Sequence, residues 1–330
     1  MRKLLLGTTA LAAAATISAN TALADVTISG SYEFKYLSRS SNTASLDGTT
    51  MNHGDTDMVI NFTTKTDSGL DLTYRVDFDA FGNTETGSAN IDETSLAIAG
   101  GFGKIVLGRD DDAADAYNID EMDLIAEEPS ATFTSSSISL NSSISSDDAM
   151  KVAYHLPAMG GLTAGVSHTD RSAAGGTDTT SYGAKYSMDA AGASITLGYA
   201  AVNDENATQD VDMENMGIKV VSGDISLVLS QGGYEASDED RENQGGAISY
   251  KMPNGMVLGA FTFKSEDDLD AGEEYTASGA EIQYNIASGL KATITVIDYD
   301  YKVTDSTHEA TTALNADSGT MTQLTIGATF

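Results

Sequence analysis

The chain of 330 residues has no cysteine, no tryptophan and only three prolines. Without Cys there is no disulfide framework, and thiol catalysis and thiolate zinc sites are excluded. With so little Pro, almost every residue keeps the backbone N–H that a large sheet needs. Bases are scarce as well, 17 Lys and Arg against 49 Asp and Glu. A chain this acidic lacks the basic footprint of a nucleic-acid binder. Long apolar runs are missing after the first residues. Residues 4–17 are mostly apolar, follow Arg2 and Lys3, and lead to the small-x-small site Ala22-Leu23-Ala24. This run is too short for a membrane helix and reads as an export leader, 1–24, with the mature chain starting at Asp25. Fifteen bases and all 49 acids then lie beyond the leader. A chain without a membrane helix can still span a bilayer as a closed β-barrel, which satisfies every backbone polar group internally.

What the mature chain does have is a period of two. Val26, Ile28, Tyr32, Phe34 and Tyr36 alternate with Thr27, Ser29, Ser31, Glu33 and Lys35. Leu72, Tyr74, Val76 and Phe78 alternate with Thr73, Arg75, Asp77 and Asp79, and similar runs recur around Tyr182 and Ile282. Such runs are strands with one apolar and one polar face. Their connections fall into two classes that alternate. Short turns sit at 67–69, 99–102, 158–161, 189–192, 222–224, 253–255 and 287–289. Long, polar, acidic loops sit at 39–53, 82–88, 109–149, 170–179, 203–212, 235–243, 265–274 and 303–318. Seven turns and eight loops join sixteen strands, with both termini at the turn end. The expected fold is an all-β, transmembrane, antiparallel up-and-down barrel over 25–330, wide enough for an aqueous lumen. A weak alternation at 132–140 is placed within the third long loop.

The last strand alternates Leu324, Ile326, Ala328 and Phe330 with Gln323, Thr325 and Gly327, and Phe330 closes the sequence. This strand resembles the terminal strand of the Gram-negative general porins, especially those of α-proteobacteria. So does Glu93-Thr94-Ser95-Leu96-Ala97-Ile98-Ala99-Gly100-Gly101-Phe102-Gly103-Lys104-Ile105-Val106-Leu107-Gly108-Arg109. The resemblance implies a trimeric channel in the outer membrane, amid lipid and lipopolysaccharide, that passes small hydrophilic solutes. It also implies Phe330 as the signal read by the barrel-assembly machinery. In that family a strand ending in Gly-Arg leads into a long third loop folded into the pore. Here the loop 109–149 would carry the constriction: Arg109, Asp110, Asp111, Asp112, Asp115, Asp120, Glu121, Asp123, Glu127 and Glu128.

The bases fit a wall opposite such a loop. Lys35, Lys65, Arg75, Lys104, Lys151, Lys185, Lys219, Lys251 and Lys291 fall at polar strand positions. A charge on the lipid face near the midplane costs roughly 2–4 kcal/mol, so they should point into the lumen. Acids on a loop facing bases on a wall make a transverse field that orders water and disfavours apolar solutes. Enteric members carry an arginine cluster where Thr94 and Val59 stand here, which implies a weaker field and a mild preference for cations.

Other chemistry has little support. His53, His155, His168 and His308 are scattered and have no zincin spacing. The segment Gly101-Phe102-Gly103-Lys104 lacks the other positions of a phosphate loop, and there is no nucleophile elbow. No firm metal site or cofactor is expected. Calcium at Asp110-Asp111-Asp112, Asp238-Glu239-Asp240 or Glu266-Asp267-Asp268 is the one candidate, on hard oxygen ligands. The aromatic girdles fall to Tyr32, Tyr36, Tyr74, Tyr154, Tyr186 and Tyr199. Two other readings stand beside the general porin: a substrate-specific porin, and a secreted β-rich adhesin or surface protein.

Overall fold

The computed structural model describes residues 24–42, 47–54, 56–79, 90–126, 149–169, 178–205, 210–236, 240–268, 273–302 and 317–330. The strands are β1 (Asp25–Ser41), β2 (Gly48–His53), β3 (Asp57–Lys65), β4 (Asp71–Asp79), β5 (Asn90–Gly100) and β6 (Gly103–Arg109). Next come β7 (Met150–His155), β8 (Leu162–Thr169), β9 (Asp178–Ala190), β10 (Ala193–Glu205), β11 (Asp210–Ser222) and β12 (Ile225–Glu235). The series ends with β13 (Asp240–Lys251), β14 (Val257–Asp267), β15 (Glu274–Ala287), β16 (Leu290–Lys302) and β17 (Asp317–Thr329). Neighbouring strands pair antiparallel, and β17 returns to β1 with Ser31 opposite Thr329 and Ser41 opposite Gly319. Closure leaves the sheet without an edge, so hydrocarbon meets no unpaired backbone.

Seventeen segments make sixteen staves. Both β2 and β3 pair with β1, β2 along Phe34 to Arg39 and β3 along Asp25 to Gly30, so together they form one interrupted stave. All seven short turns expected from the sequence join consecutive strands. At the tightest, Ala191 (φ 53°) and Gly192 (φ 82°) both have positive φ. That is the signature of a two-residue type I′ hairpin, whose twist matches the strands it joins.

The long loops are shorter than the sequence implied. Residues 39–41 and 48–53, read as loop, continue β1 and form β2. Strands β10, β11, β13 and β14 likewise run through Glu205, from Asp210, from Asp240 and through Asp267. Above the membrane both faces of a strand are wet. The apolar alternation therefore stops while the hydrogen-bond ladder continues, and only the former is visible in sequence. The stretch 132–140 and most of loop 303–318 lie outside the described residues.

Alternation sorts the side chains as expected. On β9, Ser181, Gly183 and Lys185 face inward, while Tyr182 and Tyr186 lie exposed on the outside. Ile28, Leu197, Met216, Leu229, Ile248 and Ile294 continue this exposed apolar surface around the barrel. In water such a surface would aggregate; against lipid it is matched.

One part of the interior departs from the polar lumen expected. Phe261, Phe263, Tyr275, Ile297, Tyr299 and Met321 on β14–β17 form a buried inward-facing cluster with Ile125 of the third loop. Met122 and Leu124 of that loop pack against it. Burying each large side chain contributes roughly 1.5–3 kcal/mol. This half of the wall is a dry seat for the folded-in loop.

Candidate functional site

The third loop leaves β6 at Gly108. Its φ is 137°, and a Cβ there would overlap the carbonyl of Thr94, so glycine is required. The chain then runs inside the barrel along the wall from β7 to β15. Asp112 meets Lys151 on β7 at 2.8 Å, and neither side chain is more than 1% exposed. The N–H groups of Ala113 and Ala114 donate to Ser167 Oγ on β8 (3.0 Å) and Ser181 Oγ on β9 (3.3 Å). A 3-10 turn, Asp115–Tyr117, follows. The Tyr117 hydroxyl lies 2.8 Å from His155 Nδ1.

Polar side chains then carry the loop past β11 and β12. Asn215 Nδ2 donates to Asn118 Oδ1 at 2.7 Å. Asp120 accepts from Asn118 Nδ2 (2.7 Å) and from the N–H of Met122 (2.9 Å). The second bond caps a second 3-10 turn, Glu121–Asp123. Ser230 Oγ donates to Glu121 at 3.3 Å, and Lys219 pairs with Asp123 at 3.0 Å. The last described part of the loop is held by Glu281 on β15. Its carboxylate accepts the Ala126 N–H at 3.0 and 3.1 Å, Gln283 Nε2 at 2.6 Å and Thr295 Oγ1 at 2.9 Å.

Glu281 is 2% exposed. Replacing it by leucine leaves buried donors unsatisfied, at roughly 1–3 kcal/mol each. The expected result for Glu281→Leu is a loop that proteases cut within 110–126 while the barrel stays folded. Equal protection of variant and parent would show that the anchor is dispensable.

The acids expected at the constriction divide into three groups. Asp111, Asp115 and Asp123 are exposed to the lumen, and Asp110 is half-buried. Asp112, Asp120 and Glu121 are 2, 6 and 1% exposed and are spent on holding the loop to the wall, which corrects their reading as aperture acids. Glu127 and Glu128 lie outside the described residues. Arg109 is also corrected. It sits opposite Thr94 and Met150, on the outward-facing side with Leu107, and its Nη1 donates to the Ile91 carbonyl at 3.5 Å.

All nine expected wall bases fall on inward-facing positions, but few face the loop's exposed side. Lys65, Lys104, Lys251 and Lys291 stand beside the short turns, at the periplasmic rim. Lys151 is buried under the loop root, and Lys219 is tied to Asp123 from the loop's own side of the barrel. Lys185, on β9, belongs to that side too. Of the expected bases the remaining wall, β1 to β5, brings Lys35 and Arg75, and Arg39 on β1, opposite the inward Met321, shares their face. Lys35 is 3.6 Å from Glu33, while Arg75 pairs with Asp77 and, at 3.1 Å, with Glu93. Both of these expected bases are therefore compensated by wall acids.

Burial raises the pKa of Asp111, and neighbouring Asp110 adds to the shift. Burial raises that of Asp115, with Asp111 adding to it. Partial desolvation against the wall favours the neutral carboxylic acid, and like charges at one aperture push the same way.

Asp110 and Asp111 also approach Glu93, with ligand oxygens within 4.8 Å of one another. Glu93 is already paired with Arg75, so a cation there would compete with a guanidinium, and we assign no metal to the set. Asp112 points away to Lys151, so the triplet 110–112 does not converge. Glu266 and Asp267 fall on opposite faces, with Lys264 outside and Arg241 inside. Residues 238 and 239 of the remaining triplet lie outside the described residues.

Glu281, Ser167, Ser181, Asn215 and Tyr117 were not nominated from sequence. The signal of the first four was only a polar residue at an inward strand position, which dozens of others share, and Tyr117, inside the loop, had none. Phe330 lies at the periplasmic rim with its side chain exposed, its N–H donating to the Gly30 carbonyl at 2.9 Å, so it is part of the seam.

A closed sixteen-stave barrel with an apolar exterior and a charged loop laid across its interior is a channel-type protein of the outer membrane. A family model described as Gram-negative porin matches residues 7–330. The chain belongs to that family, which removes the soluble adhesin as a reading. Solved structures share the fold. An anion-selective porin from Comamonas acidovorans is 16% identical with a TM-score of 0.69, over 93% of this chain and 100% of that one. The trimer form of OmpT, an outer membrane protein of Vibrio cholerae, is 13% identical with a TM-score of 0.69, over 93% and 99%. A mutant of Rh. blastica porin is 13% identical with a TM-score of 0.63, over 93% and 100%. No curated protein matches in sequence.

Proposed function

We propose that this porin is a passive general-diffusion channel that catalyses no reaction, works as a homotrimer and mildly prefers cations. The observation that carries the preference is the split among the loop charges. Asp111 and Asp115 stand exposed, with Asp123 beside them tied to Lys219, while Lys35 and Arg75 of the β1–β5 wall are held by Glu33, Asp77 and Glu93. Rings and patches of carboxylates favour cations in a wet pore. The Comamonas porin is described as anion-selective, so selectivity does not follow from this fold and rests on the charges of each chain.

Assembly is supported by the height of the wall. Strand β7 has six residues and β6 seven. At about 3.4 Å per residue, six residues reach roughly 20 Å, short of the ~30 Å hydrocarbon core. Packing this low side against other copies of the chain relieves the mismatch.

Planar-bilayer recording in a KCl gradient tests the reading. Ohmic steps in multiples of three, a reversal potential of cation sign and no saturation by any one sugar or phosphate are expected. Absence of steps refutes the channel, an anion-signed potential refutes the preference, and saturable block by one solute replaces general diffusion with a specific pore.

A further inference from the structure

Glycines weaken strands, because they add conformational entropy to the unfolded chain and present no side chain for packing, at roughly 0.5–1 kcal/mol each. Five of them nevertheless lie inward beneath the third loop: Gly165 on β8, Gly183 on β9, Gly198 on β10, Gly217 on β11 and Gly245 on β13. They are neighbours across the sheet. Gly165 is opposite Gly183, Gly198 is opposite Gly217, and Ser230 on β12 links Gly217 to Gly245.

The loop occupies the space that their side chains would fill. A Cβ at Gly183 would lie 2.7 Å from Tyr117 Cβ, and one at Gly198 would lie 2.8 Å from both the Tyr117 carbonyl and Ile119 Cγ1. At Gly217 it would overlap the Ile119 carbonyl and approach Ile119 Cγ2 to 2.8 Å. At Gly245 it would overlap the carboxylate of Glu121 and approach Ser230 Oγ to 2.7 Å. At Gly198 and Gly217 the loop's backbone thus rests directly on the wall's backbone, while at Gly183 and Gly245 the side chains of Tyr117 and Glu121 fill the space a wall side chain would take.

We propose that these wall glycines, Gly217 and Gly183 above all, are the positioning residues that set the aperture. They recess the loop by the thickness of one side chain, and the width of open lumen is what that recess leaves. This inference rests on the reading of the protein as a diffusion channel. With the loop tied at Lys151 and at Glu281, a side chain added beneath its middle bows it toward the β1–β5 wall.

The test is single-channel conductance and solute-size cutoff of the full-length porin with Gly217→Ala, Gly217→Val and Gly183→Ala. Two control glycines meet nothing tighter than ordinary contact. A Cβ at Gly259 would lie 3.5 Å from Ile125 Cγ2, and one at Gly327 would lie 3.7 Å from Glu33 Oε1. Heat-modifiable migration on gels verifies folding of each variant. Should Gly217→Ala fail to fold, Gly245→Ala carries the same test, since the added group meets the buried Glu121 carboxylate, which Ser230 holds, and lifts that part of the loop. The expected result is a graded fall in conductance, larger for Val than for Ala, with Gly259→Ala and Gly327→Ala at the parent value. Unchanged or raised conductance in the Gly217 and Gly183 variants, or an equal fall in the controls, overturns the inference. Loss of steps in the parent protein would instead refute the channel reading itself.

Discussion

Asp112→Ala should detach the root of the third loop. The substitution leaves the Lys151 ammonium buried without its carboxylate, and breaking a buried pair from one side costs about 3–5 kcal/mol. That is about two to four powers of ten in the ratio of seated to released loop. The burden falls on the loop and not on the barrel, whose strands close through backbone bonds that the substitution does not touch. Conductance should rise and become noisy, and proteases should gain access to 110–126. The double variant Asp112→Ala/Lys151→Met removes both charges and should recover most of the parent behaviour, because an apolar replacement of a buried pair is often neutral. If the single variant conducts like the parent, the pair is not what fixes the loop. If the double variant is no better than the single, the damage lies in lost packing and not in a stranded charge.

The second large effect concerns selectivity. Neutralising Asp111, Asp115 and Asp123 together to Asn should remove most of the cation preference, read as a reversal potential moving toward zero in a KCl gradient. Neutralising Asp120 and Glu121 should act differently. These two are turned into the wall, so their loss should disturb conductance before it changes selectivity. Equal shifts of reversal potential in both sets would mean that the exposed face of the loop does not line the aperture. The pH dependence has a definite sign. The raised pKa values of Asp111 and Asp115 mean that they take up protons at higher pH than a free carboxylate, whose value is about 3.9. Preference for cations should therefore begin to fall on acidification while ordinary carboxylates are still charged. In Asp111→Asn/Asp115→Asn that early part of the decline should be missing. A parent curve that stays flat down to about pH 4 would contradict the burial argument.

Much of the architecture could be read from residue order, and the misreadings share a cause. Alternation of Tyr182, Ala184 and Tyr186 with Gly183 and Lys185 reveals a strand and both its faces, because a bilayer on one side and water on the other impose a period of two. The same signal fades at Asn203 to Glu205 and at Asp240 to Asn243, where both faces carry polar residues, so the strands outlast their pattern. Arg109 was placed at the aperture on the strength of the loop it introduces, yet one residue of register turns it outward. Lys264 and Arg241 illustrate the same rule: only parity within the strand separates an outer base from an inner one.

The order of residues alone determined that this protein spans a membrane as a closed sheet, where the turns lie, and which side chains meet lipid. Those properties are local, since each depends on a residue's neighbours two places away. Only the tertiary structure decided which acids of the third loop see the lumen, and that Asp112, Asp120 and Glu121 instead serve as its fastenings. It also decided that the loop lies on glycines and is tied at Ala126 to Glu281. A loop inside a barrel is positioned by contacts with nine strands from distant parts of the chain, and no period in the sequence records which wall it will lie against.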